Sequence, residues 1–342
     1  MAVREMVVAG FTDLAARVRK LEELLLLRRL SPYGVAVSRV LSGSAYVGIL
    51  LTNFTQREIL FGTASDWARG YRETSAQAPW LGMLENVSGP VFTLFYLAVI
   101  AAGVAFVLGW HARIAGVLML FGAVQVLEMN PLVSDQGDNI LRVGIFFVLL
   151  TECSAVWSLD ARRRARRELP RDNRWTRFLE RPAVTTSRTL LHNGAVIGLA
   201  IQLVIVYVAA AMYKIPGNGW RYGTAIASPL RGDEYRVWPW LNDLVVSSRI
   251  GVWLMTYAAV YLQLYFPALL LNKITRRFAL AAVILLHLGI AVLMGLPWFT
   301  LGMVAFDGIF VSTTTYQSLQ QFAVPHLRAG RARIAHRLAR AS

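Results

Sequence analysis

Residues 207–228 read YVAAAMYKIPGNGWRYGTAIAS: an apolar helix that runs out at Lys214, a Pro/Gly turn, then Trp220 and Gly223. A lysine and a tryptophan at the end of such a run mark the place where hydrocarbon gives way to headgroups. Upstream the apolar residues continue back to about residue 193, and about twenty residues at ~1.5 Å each cross a bilayer core.

Runs of that kind recur along the chain, at roughly 34–52, 89–109, 113–131, 139–158, 193–213, 251–272, 276–296 and 298–315. The fold class expected is therefore all-α: a polytopic integral membrane helical bundle with about eight transmembrane helices and an N-terminal amphipathic helix. The runs are continuous rather than alternating with a period of two, which argues against a β-barrel.

The net charge is +15, yet the basic residues gather between apolar runs, so a nucleic-acid partner is not expected. The first thirty residues, the loop with Arg162, Arg163, Arg164, Arg166, Arg167, Arg171 and Arg174, the turn with Lys273, Arg276 and Arg277, and the tail from Arg328 to Arg340 fall on one side if the spans number eight. The positive-inside rule then puts both termini in the cytoplasm, with the protein integral to the cell inner (plasma) membrane and loops 53–88 and 214–250, which carry Trp67, Trp80, Trp220, Trp238 and Trp240, facing outward. Three regions follow: 1–32, a cytoplasmic amphipathic interfacial helix with Leu14, Val18, Leu21 and Leu25 at helical spacing; 33–316, the transmembrane domain; and 317–342, a basic cytoplasmic tail. Mixed charge through the first thirty residues argues against a cleaved signal peptide. Arg39, near the start of the first run, is expected to snorkel toward the arginine-rich side. The lone Cys153 excludes an intramolecular disulfide and a cysteine zinc site, and no metal site is expected.

Ionisable residues at membrane depth are costly and therefore informative. Glu128, Asp138, Arg142, Lys214 and, more deeply, His287 share the outer half of an eight-span bundle. Asp138 and Arg142, at i and i+4, are placed to pair on one helix face. Glu152 is expected to pair with a neighbour, and Asp307 to be a buried partner of His287. Lys214 itself reads either as an interfacial anchor or as a base; Tyr213, Trp220 and Tyr222 either line a pocket beside it or sit in the interface.

The segment Ala209, Ala210, Ala211, Lys214, Trp220, Gly223 resembles the helix end of vitamin K-dependent gamma-carboxylases and of the bacterial HTTM (horizontally transferred transmembrane) family that shares their membrane region. Two further stretches are similar in the same order: Trp157, Ser158, Leu159 and Asp160 at the close of the fourth run, after a Gly137-Asp138 lead-in, and Leu286-His287 followed by Phe299, Gly302 and Met303. The resemblance implies that Lys214 and His287 are catalytic, Lys214 being the base that deprotonates a reduced quinone (vitamin K hydroquinone or menaquinol type). Tyr213, Trp220, Tyr222, Asp138, Asn139, Arg142 and Glu128 would then line the quinone or substrate pocket. It also implies oxygen and carbon dioxide as co-substrates, and a peptide or small acid as the carboxylation acceptor. Abstraction of a hydroxyl proton needs the neutral amine, which an apolar setting favours. Two departures from the carboxylase are visible: residues 134–139 offer no histidine, and a basic tail stands where the carboxylase has a large lumenal region. They imply a different substrate, a partner subunit, or the second role found in the family, a non-catalytic maturation or scaffold protein for a secreted peptide. The partners expected are the lipid bilayer, a lipophilic quinone and such a peptide or subunit.

Overall fold

The structure is a computed structural model and describes residues 22–322 apart from 24, 63, 69–82, 86, 167–176 and 179–180. Most of the expected N-terminal amphipathic helix, Trp80 and the tail beyond 322 lie outside those residues.

Eight principal helices follow the apolar runs: α1 (Pro32–Thr52), α2 (Gly89–Leu108), α3 (Ala112–Glu128), α4 (Gln136–Leu150), α5 (Pro182–Lys214), α6 (Arg249–Leu269), α7 (Lys273–Leu293) and α8 (Pro297–Val304). Local chemistry sets their ends. Prolines open α1, α2, α5 and α8, where a missing backbone N–H costs nothing. Asp135 and Asp138 close a capping box at the start of α4, and the side chains of Ser248 and Asn272 cap α6 and α7.

Five helices, α1, α2, α5, α6 and α7, are long and apolar enough to cross a membrane. Their lipid-type surfaces are plain in Leu94, Ile205 and Leu285, all more than half exposed. The expected span 298–315 is built differently from the others: α8 has 8 residues, about 12 Å of helix, and gives way to a tight turn at Asp307–Phe310, and the segment runs from Trp298, which donates to Thr52 at the end of α1, to Gly308, which lies against Gly34 near its start. Phe306 and Asp307 are drawn inward there, against α4 and α5.

α1 forms the centre, with 61% of its apolar window buried against 22% for α7 at the rim. It packs on α2, α4, α8 and the Asp307–Phe310 turn, while α5 joins α4 on one side to α6 on the other, and α7 closes onto α8. Tyr46, Phe106, Met119, Ile145, Leu199, Tyr207, Phe266 and Phe306 are fully buried between these elements.

Arg39 corrects an expectation. It is fully buried, and its guanidinium donates to the carbonyls of Phe106 and Val107 at 2.8 and 2.9 Å and of Trp157 at 2.6 Å. Those of Phe106 and Val107 are C-terminal carbonyls of α2, the negative end of a helix dipole, the first of them also accepting the capping Gly109 N–H, so the charge is met inside the bundle without reaching water. Asp160 fastens the same end by accepting from the N–H groups of His111 and Ala112 at 3.0 Å each, where α3 begins. The Trp-Ser-Leu-Asp stretch is thus a clasp between α1, α2 and α3. Nearby Glu152, beyond the end of α4, bonds Arg188 at 2.9 Å. Burial pushes that carboxyl up, but the hydrogen bonds and charge of Arg188 more than offset this and hold it below the ordinary value. Cys153 is buried beside it as a free thiol.

Candidate functional site

The chain turns sharply after Lys214: Gly217 N–H bonds the Lys214 carbonyl at 3.0 Å and a short helix, Asn218–Arg221, carries Trp220 back toward the lysine. Lys214 Nζ lies 5.4 Å from the centre of the Trp220 ring, a cation–π distance. Gly223 completes the turn at φ +71, and a Cβ there would meet Trp253 of α6 at 2.5 Å. The spacing Lys214, Trp220, Gly223 therefore has a geometric basis: only a residue without a side chain turns the chain that closely against α6.

The amine donates to Gln263 Oε1 at 2.8 Å and to the Ala210 carbonyl at 3.2 Å. Gln263 is buried and stands fourteen residues into α6, about 21 Å of helix, so the amine is held beside the body of that helix rather than at its end. Its partners among the described residues are neutral; no carboxylate is paired with it.

His287 lies within electrostatic range of Lys214. It is 1% exposed, and neither ring nitrogen has a hydrogen-bond partner among the described residues. Its ring centre is 6.3 Å from that of Tyr207 and 6.1 Å from that of Phe299. Contrary to the expectation from the sequence, Asp307 does not pair with His287; its carboxylate accepts from the Tyr207 hydroxyl at 3.2 Å. Lys214, Gln263, His287, Tyr207 and Asp307 thus make one polar file through the apolar interface of α5, α6 and α7.

The remaining candidates fall elsewhere. Arg142 pairs with Glu128 rather than with Asp138. Asp138 is occupied in the capping box, accepting from the Asp135 N–H at 3.0 Å. It lines a separate cavity of about 350 Å³ with Asn53, Asp135, Trp298 and Phe299, so Phe299 is the wall between that cavity and His287. Asn139 is exposed. Tyr213 and Tyr222 are 86% and 72% exposed, and Tyr213, next to Lys214 on α5, points about 100° away from it around the helix. Sequence reasoning missed Gln263 and Tyr207, though a glutamine in the middle of an apolar run is itself a signal.

A bundle of lipid-facing helices enclosing a lysine, an imidazole and a carboxylate defines a polytopic membrane protein with an intramembrane polar site. The HTTM domain matches residues 28–314, and the chain belongs to the HTTM family. It is similar to sporulation-delaying protein SdpB of Bacillus subtilis (strain 168), at 29% identity over 188 residues, 53% of this chain and 52% of that protein. The match thus spans about half of that relative's length. No solved structure matches the chain.

Proposed function

We propose that the protein is a membrane enzyme in which Lys214 takes a proton from the hydroxyl of a lipophilic ring, as a reduced quinone of the vitamin K hydroquinone or menaquinol type would present it. The observation that supports this reading is an amine held, among the described residues, by neutral partners, with a buried imidazole in electrostatic range whose two nitrogens are unengaged. A charged amine there gains no counter-ion, and the imidazole offers a donor or acceptor to a ring hydroxyl. The residues suit the group: Gln263 and the Ala210 carbonyl fix the amine, His287 offers a partner to a second polar atom, and the Trp220 indole offers an aromatic face near the amine. Bound there, a quinol would supply the reducing chemistry toward oxygen, with carbon dioxide as co-substrate if the acceptor is a peptide or small acid. We place the arginine-rich end in the cytoplasm and Lys214 toward the outer half.

The test is oxygen uptake by the purified protein with a quinol in nanodiscs: wild type consumes oxygen, and Lys214→Ala loses at least about 100-fold. Full activity in Lys214→Ala removes the base. The resemblance to SdpB and the missing histidine at 134–139 favour a second reading, a maturation or scaffold protein for a secreted peptide, without catalysis. A stable partner subunit, no bound quinone and peptide production indifferent to Lys214→Ala would select it.

A further inference from the structure

Resting on Lys214 as the base, we propose that His287, Tyr207 and Asp307 form an internal proton path that empties Lys214 into the Asp307 carboxylate, toward the arginine-rich end of the bundle. Tyr207 is on α5, seven residues or about 10 Å before Lys214, and the two polar groups lie on the side of that helix facing α6 and α7. The Tyr207 hydroxyl already points its proton at Asp307. Asp307 is 3% exposed, and Tyr207 is its side-chain partner among the described residues, with no cation beside it. The next residue, Gly308, packs against Gly34 and Val37 near the start of α1, the end where Arg39 and Asp160 make their clasp. The path therefore runs away from the amine and deep into the protein.

The step balances as a relay. The Lys214 ammonium gives one proton, through a bridging water, to a ring nitrogen of His287, and the other ring nitrogen releases one to the Tyr207 oxygen as the Tyr207 hydroxyl proton passes to Asp307. One ammonium and one carboxylate become a neutral amine and a carboxylic acid, and no electrons move. Ring centres 6.3 Å apart leave the His287 to Tyr207 step to one bridging water. Each buried polar atom that stands without a partner at His287 is given one by this path.

Time-resolved infrared spectroscopy after a rapid pH drop reads it without any turnover. The band to follow is the carboxylic C=O stretch that Asp307→Asn removes. In wild type that band grows on protonation; in Lys214→Arg, which keeps the charge but does not release its proton, it grows at least about tenfold more slowly to the same final height. Tyr207→Phe, which removes only a hydroxyl, and His287→Gln slow it likewise. Equal rates in wild type, Lys214→Arg and Tyr207→Phe overturn the path, as does an Asp307 that never gains a proton. A slowed band in Lys214→Arg together with full oxygen uptake in Lys214→Ala would leave the path standing and the base reading lost.

Discussion

Lys214 differs from Lys273 and the loop arginines in the company it keeps: an amide oxygen, a backbone carbonyl and an indole face. Gln263 is the partner that fixes the amine, so Gln263→Leu is expected to cut quinol oxidation about 10-fold or more while Gln263→Glu, which supplies a counter-ion and holds the amine charged, cuts it further. Steady-state rates of the two variants against wild type check this. Arg39 is the opposite case, a buried charge with a structural task. Arg39→Met leaves the Val107 and Trp157 carbonyls without a donor and is expected to cost about 2 kcal/mol or more, read as a fall in the thermal midpoint in detergent. The sequence put both near the end of an apolar run, Arg39 as a snorkelling charge and Lys214 as an anchor or a base. It could not tell them apart, because the difference lies in which helix ends and side chains from distant runs come to meet them.

At the scale of elements, the turn after α5 and the clasp after α4 carry the two stretches most legible in the sequence. Gly223→Ala is expected to destabilise by at least about 1–2 kcal/mol from its backbone conformation alone, and to move Trp220 off the amine, so both the thermal midpoint and oxygen uptake should drop. Asp160→Ala removes the cap at the start of α3 and is expected to cost about 1–2 kcal/mol with oxygen uptake retained at a temperature where the protein is folded. That contrast separates a motif that supports the bundle from one that shapes the site. The Glu152–Arg188 pair makes a pH prediction: with its folded value below the ordinary one, Glu152 contributes stability at neutral pH that is lost as pH falls through the lowered value. Glu152→Gln should flatten the acid limb of the stability profile. The i, i+4 pairing of Asp138 with Arg142 did not form, because Asp135 drew Asp138 into a cap and Glu128, from α3, reached Arg142 first.

For the whole molecule, hydrophobic run length gave the helices and their order, and the starts of α1 and α2 to within two residues. It did not show that the last run is a short helix and a tight turn, where apolar composition reflects burial inside the protein rather than contact with lipid. Nor does run length say that α1 is central and α7 peripheral, since both are apolar all round. The orientation we place on the bundle predicts that, in a Cys153→Ala background, Asn218→Cys is labelled by an impermeant thiol reagent added outside intact cells and Arg164→Cys is not. The most direct test of the account is a cryo-EM map of the protein reconstituted with a reduced quinone. Planar ring density bounded by Lys214, His287 and Trp220 is the predicted result; the ring found only beyond Phe299 or in the surrounding lipid, with the Lys214 amine closed off by protein, would contradict it.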